Sequence, residues 1–549
     1  MDPEIQNKIN EAHQLSSRKD GDKFVSYENI GELLEKRKSL HPDRKYLKFY
    51  SDSEDIIEYT YREFVDQVCR VSNFLISKGM ILNSRVAVFS HNHSDTVVLY
   101  YAAWSIGAVI VPINVSEEGS RIEYILKNSY SKLVFTRSEY LEKINSVQHN
   151  AEVINFNEIN FDEERCDISL DYKVDLQSES MIVYTSGTTG NPKGVVLTQY
   201  NLMTDTDNIH KWHGLEEKDV MMCVLPIHHV NGTVVTIMTT MYYGGTLILN
   251  QKYQSNTFFK RIESDNVKVV SVVPTLLQFL LHSGEEITKY NLKNFSHIIC
   301  GAGPLTCELA RNFENKFGLS IVHGYGLSET TCYSCFIPAD LSADEHKKWM
   351  YEYGYPSIGI PLECNEMEIQ NDAGQTLKEN DRGEIVIRGH NVMKYYFDND
   401  EINRKTFEFG WFRSGDEGFY KLDEKGNKYF FITGRLKELI IRGGVNISTL
   451  EIDEVLCKCE SVSSGIAVGF ENDWYGEEVG ALVMLKENIE ETDELKKKIL
   501  KHCSEILPFY KCPKTVVFTD KIPVTSTGKY QRNKAKHLFE SFKTTQFKK

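Results

Sequence analysis

To about residue 340 the chain alternates segments of helical period with short apolar, β-branched runs. That alternation restricts the fold more than any other property of the sequence. Tyr61 to Lys78 carries Phe64, Val65, Val68, Val71, Phe74 and Leu75 at helical spacing, and Arg85 to Ser90 follows as a short buried strand. Ser131–Thr136, Val220–Leu225, Thr246–Leu249 and Val267–Val273 read as further strands, with amphipathic runs such as Asn256–Asp265 between them. Repeated strand–helix units predict an α/β class, with a mostly parallel sheet covered by helices.

Beyond Glu363 the pattern changes. Gly383–Arg388 and Lys428–Ile432 read as strands, with turns at Asp372–Gly374 and Lys425–Asn427. Leu450–Cys457 then reads as a helix, Ser464–Val468 as a strand and Thr492–Leu507 as a long helix. The expectation is a large N-terminal region of sheet-and-helix subdomains plus a small β-rich one. A small α+β domain follows, and the lysine-rich tail Lys543–Lys549 frays.

With 549 residues the chain can bury several cores, and 41% hydrophobic and 26% charged residues exclude wholesale disorder. A formal net charge of -15 argues against nucleic acid as a partner. The 18 uncharged residues Thr96–Ile113 imitate a membrane span, but Ser105, Gly107 and the β-branched Ala108–Val111 stretch fit a buried helix running into a buried strand. No integral span is expected. The first 21 residues are polar, with Asp2, Glu4 and Asp20, and the 12 cysteines are too sparse for a disulfide scaffold; a reducing, cytoplasmic setting follows. Cys332–Cys335 is the one C-x-x-C, and without a second pair it reads as structural.

The strongest chemical signal is Tyr184–Gly194 (YTSGTTGNPKG), placed after the strand-like Met181–Val183. Alternating Ser, Thr and Gly supply backbone N–H groups and hydroxyls suited to a polyphosphate, and Lys193 adds a positive charge. It is not a Walker A loop, because Pro192 precedes the lysine and Gly194 follows it. His228–His229 suggests a metal, but no third ligand is near and adjacent residues of an extended segment point to opposite sides.

With seven further strings in order, the sequence resembles the adenylate-forming superfamily of acyl-CoA synthetases, aryl-CoA ligases, luciferases and nonribosomal adenylation domains. The strings are Leu225–Gly232, Gly301–Pro304, Gly324–Thr331, Gly383–Gly389, Gly410–Asp416, Gly434–Gly444 and Ile522–Lys529. The resemblance implies a two-step reaction. A carboxylate attacks the α-phosphorus of Mg·ATP to give an acyl-adenylate and pyrophosphate, and a thiol, usually coenzyme A, then displaces AMP. It further implies roles for individual residues. Thr185, Ser186, Gly187, Thr188, Thr189 and Lys193 cradle the β- and γ-phosphates. Glu329 holds Mg²⁺ and Thr330 reaches the α-phosphate. Tyr325 packs on adenine between Gly324 and Gly326, where Gly301, Ala302 and Gly303 let the backbone approach. Asp416 accepts the ribose hydroxyls with Arg435 in support. Lys529 bridges the α-phosphate and the attacking carboxylate.

By the same resemblance His229 gates the route from the acyl pocket to the thiol. Asn231, Val235, Met238 and Cys332 belong to that pocket, and Gly443 and Gly444 border the thiol tunnel. Lys437 is a hinge between an N-terminal AMP-binding region, 1–436, and a C-terminal lid, 437–549. The sequence departs from the family where relatives carry Gly-Tyr and this chain has Lys394-Tyr395. The implied protein is an acid–thiol ligase for a fatty or aryl acid. Two alternatives stay open: an adenylation enzyme that loads a carrier protein, and a catalytically inactive ligand-binding relative.

Overall fold

The computed structural model describes residues 2–16, 23–166, 170, 174–185, 191–525 and 530–547. Two large sheets build the N-terminal region. One has nine strands, and six of them (Ile321–Tyr325, His297–Cys300, Val269–Val272, Val220–Cys223, Thr246–Asn250 and Lys45–Tyr50) run parallel in that spatial order. The other has seven, with Val109–Pro112, Arg85–Phe89, Leu133–Thr136 and Glu152–Asn155 parallel from its centre to one edge. The parallel α/β architecture read from the alternation is therefore present. One hydrophobic core joins helices and strands of both sheets, and a second lies on the other face of the nine-stranded sheet.

Local chemistry accounts for the elements. The helix Tyr61–Ser77 starts where the Thr60 hydroxyl accepts from the Glu63 N–H while the Glu63 carboxylate accepts from the Thr60 N–H, a reciprocal cap. The span-like segment divides into the helix Ser94–Ser105, buried on every side, and the strand Val109–Pro112. No helix among the described residues is long and apolar enough to cross a membrane.

A four-stranded antiparallel sheet (Asn365–Gln370, Gly383–Gly389, Phe412–Leu422, Lys428–Arg435) covers part of the second core with Phe419, Tyr429 and Phe431. The C-terminal residues form a five-stranded sheet with apolar clusters of their own. Along Val462–Asn472 the side chains alternate: Ala467 joins a cluster with Val479 and Ile499, while Ile466, Val468 and Phe470 join another with Ile522 and Phe539.

Two local readings differ from the structure. His228 and His229 lie in a turn and not in an extended segment, so their rings sit 4.4 Å apart instead of diverging. Gly443 and Gly444 form the two-residue turn, with φ of +56° and +83°, that joins Ile440–Arg442 to Val445–Ile447. The lysine-rich tail is tied down through its first residues: Lys543 Nζ meets Glu471 at 2.8 Å, and the Asn472 amide donates to the carbonyls of Lys543 and Thr545.

Candidate active site

A cavity of about 400 Å³ opens at the carboxyl ends of the parallel strands His297–Cys300 and Ile321–Tyr325. Ala302 and Gly303 line it from the loop after the first strand, and Gly324, Tyr325 and Gly326 from the end of the second. Asp416 and Arg435 join them from the four-stranded sheet, where they face each other across an antiparallel pair. Asp416 is 4% exposed. The Tyr325 hydroxyl donates to its Oδ2 at 2.7 Å, and Arg435 Nε stands 3.2 Å from Oδ1. The Asp416 carboxylate pushes the Arg435 guanidinium to higher pKa, against the effect of burial. Burial, then the same carboxylate, drives the Tyr325 phenol well above its ordinary range, so its O–H remains a donor. Three segments far apart in sequence thus fix one buried carboxylate on the cavity wall.

Glu329 lies in the tight turn Ser328–Thr330, with Thr330 fully buried and its hydroxyl accepting from the Leu327 N–H at 3.0 Å. The next residue, Thr331, has φ of +62°, a strained conformation for a β-branched side chain. The segment Asn391–Met393 holds the strain in place. The Thr331 hydroxyl donates to the Asn391 carbonyl at 2.6 Å, and the Met393 N–H donates to the Glu329 carbonyl at 2.7 Å. Asn391 also donates to Asp205, whose carboxyl burial pushes up to about 8.

Tyr396 completes the arrangement. Its hydroxyl donates to Glu329 Oε1 at 2.7 Å, and its ring lies 4.9 Å from Lys193 Nζ. Burial lowers the Lys193 ammonium first and the charge of Lys437 lowers it further, while Glu329 opposes both. Lys193, Lys437 and Glu329 therefore share one local field. Lys193 is opposite Thr185 in the antiparallel pair that frames the glycine-rich loop. Sequence reasoning passed over Tyr396, although it sits next to the Lys394-Tyr395 pair that it singled out. Those two residues instead both contact Glu179, at 3.0 and 2.5 Å.

Ser186, Gly187, Thr188, Thr189 and Lys529 lie outside the described residues. Thr525 and Tyr530, which flank the segment containing Lys529, both line the cavity. Gly301, His229, Asn231, Val235, Met238 and Cys332 do not line it. Asn231 opens a π-helical stretch, Asn231–Met238. Its amide donates to the Tyr333 hydroxyl at 3.1 Å and accepts from Ser271 at 2.7 Å. Val235 and Met238 are fully buried in the N-terminal core. Gly326 is required by close approach, since a Cβ there would lie 1.8 Å from the Cys332 carbonyl oxygen. The Gly443–Gly444 turn is exposed and away from the cavity. Among the described residues no group of three or more His, Cys, Asp or Glu could hold a metal. The lone Glu329 carboxylate instead suits a cation whose other ligands are phosphate oxygens and water.

A family model described as AMP-binding enzyme matches residues 34–397, and one described as AMP-binding enzyme C-terminal domain matches residues 451–529. An oxalate–CoA ligase of Arabidopsis thaliana is 31% identical over 532 residues, covering 93% of this chain and 99% of its own. A 2-succinylbenzoate–CoA ligase of Bacillus anthracis is 28% identical, covering 93% and 99%. Among solved structures, ATP-bound MatB from Rhodopseudomonas palustris superposes with a TM-score of 0.83 at 25% identity, over 94% of this chain and 100% of that one. The o-succinylbenzoate CoA synthetase of Bacillus subtilis, in complex with its acyl-adenylate intermediate, gives 0.79 at 26% identity over 92% and 97%.

Proposed function

The chain belongs to the AMP-binding enzyme family, within the adenylate-forming superfamily, and from that premise we propose that it is an ATP-dependent acid–thiol ligase with coenzyme A as acceptor. The observation that carries the reading is the buried Asp416, held by Tyr325 and Arg435 on the wall of a cavity with room for a nucleotide. A carboxylate fixed in that way accepts from a vicinal diol, the chemistry of a ribose.

In the first half-reaction a carboxylate oxygen of the acid bonds to the α-phosphorus of ATP. The bond from that phosphorus to the bridging oxygen breaks, and pyrophosphate leaves with the electron pair. Two anions must approach in line, so positive charge has to be fixed beforehand. Lys193 supplies it at the leaving phosphates and Lys529 at the α-phosphate. Glu329, oriented by Tyr396, would hold Mg²⁺, which neutralises phosphate charge when bound. In the second half-reaction the coenzyme A sulfur, having lost its proton to solvent, bonds to the acyl carbon and AMP leaves. Lys437 is the hinge between residues 1–436 and a lid of residues 437–549, and the Gly443–Gly444 turn serves the thiol step.

The acid is fatty, aryl or a small carboxylate of the kind named in the relatives. Pyrophosphate release, screened over those three classes with ATP and Mg²⁺, tests the reading and selects among them. No release above the acid-free rate with any acid, together with no ATP binding, would overturn it. Turnover with free coenzyme A beyond one equivalent distinguishes it from loading of a carrier protein.

A further inference from the structure

Two adjacent acids on the helix Thr449–Cys457 point to opposite tasks. Asp453, 2% exposed, faces its own domain: it accepts from the Ala467 N–H at 2.6 Å and from both terminal nitrogens of the buried Arg532. Arg532 also lies 3.5 Å from Glu438, the residue after Lys437. It stands three positions past Lys529 and lines the cavity. One guanidinium therefore ties together the start of the lid, its sheet and the segment that follows Lys529.

Glu454, 5% exposed, reaches the other way. Its Oε2 accepts from the backbone N–H of Cys307 at 2.9 Å. Cys307 is the first residue of the eleven-residue helix Cys307–Phe317, capped by Thr306, so the carboxylate meets the positive end of that helix. Its other oxygen is buried without a hydrogen-bond partner, 3.6 Å from Lys458 Nζ. A carboxylate in that setting has lost its water and gains it back when the domains part. The helix start adjoins Ala302–Thr306, a loop that lines the same cavity. A second contact across the boundary, Gln278 to the Ser463 carbonyl at 3.2 Å, is neutral.

We propose that Glu454 is a positioning residue for adenylation: its contact with the Cys307 N–H latches the lid in the orientation that puts Thr525 and Tyr530, on either side of residues 526–529, on the wall of the nucleotide cavity, and release of that contact precedes the thiol step. The half-reaction arm rests on the acid–thiol ligase reading. The latch itself does not, because it is read from the Glu454–Cys307 contact alone.

Two variants test it. Glu454→Ala removes the acceptor and Glu454→Gln keeps a carbonyl oxygen at the same reach. The first measurement is backbone hydrogen exchange of residues 304–310 in the substrate-free protein. The amide of Cys307 should exchange about tenfold faster or more in Glu454→Ala and close to the wild-type rate in Glu454→Gln. The second separates the half-reactions. Pyrophosphate release should fall about tenfold or more in Glu454→Ala through kcat, with the acid KM little changed, while thioester formation from supplied acyl-adenylate is retained. The glutamine variant should recover most of the loss. Unchanged exchange in a folded Glu454→Ala protein would overturn the latch, as would equal loss in both half-reactions with no rescue by glutamine. If wild type releases no pyrophosphate with any acid, the ligase reading fails and the exchange arm still decides the latch.

Discussion

A single hydroxyl separates Tyr396 from phenylalanine, and that hydroxyl is what orients Glu329. Tyr396→Phe keeps the ring beside Lys193, so the loss isolates the hydrogen bond. Pyrophosphate release should slow roughly tenfold, about 1.4 kcal/mol, and the Mg²⁺ titration should shift to higher concentration. An unchanged titration would remove Tyr396 from the site. Lys529→Ala should be more severe, about a hundredfold or greater on adenylation, because a charge opposite the α-phosphate is lost. Conversion of supplied acyl-adenylate to thioester should survive, and near-normal pyrophosphate release would sink the assignment. Glu329, Asp416 and Arg435 were legible as candidates because each stands in a specific string of neighbours. Tyr396 could not. In the pair Tyr395-Tyr396 successive side chains take opposite sides of a strand, and only the packing tells which one meets Glu179 and which one Glu329.

The proposed hinge at Lys437 belongs to the scale of elements. Leu436–Glu438 is a short turn between the strands Lys428–Arg435 and Ile440–Arg442, anchored before it by Arg435 on Asp416 and at its last residue by Glu438 beside Arg532. Rotation between two fixed ends concentrates in the few residues left over. Proline at 437 fixes φ near −65° and should freeze it. Lys437→Pro is expected to give a single-turnover burst of pyrophosphate and no thioester, measured as two separate half-reactions. Equal loss in both would indicate misfolding, and full thioester turnover would refute the hinge. Helices such as Tyr61–Ser77 were legible to within a residue because their period and caps are local. The antiparallel pairing of Glu179–Thr185 with Lys193–Thr198 was not, since the glycine-rich string drew the reading to the loop and the strand after it carried no separate signal. The His228–His229 turn escaped for a related reason: a direction change made by Pro226 and the following helix leaves no periodic mark.

At the scale of the whole molecule, buried histidines tie stability to pH. Burial lowers His213 well below its ordinary value of 6.5 and lowers His297 and His323 to about 4. His213 and His297 share a 2.8 Å contact in the core. Above 6.5 each is neutral in both states. As pH falls through 6.5 toward 4 the unfolded chain binds protons that the folded chain does not, so stability declines. The slope is at most roughly 1.4 kcal/mol per pH unit for each group. Urea midpoints from pH 8 to 4.5 should show that decline, and His323→Gln should flatten it by close to one proton. A pH-independent midpoint below 6.5 would contradict the burial of these rings.

The cavity at the nucleotide site is walled by two bodies: Asp416 and Tyr325 belong to one, Arg532 and Tyr530 to the other. If the C-terminal body moves as proposed, a guest that touches both walls is released as they part, and its residence time follows the opening rate. A molecule designed to touch both walls would act less as a competitor for the site than as a rivet through it.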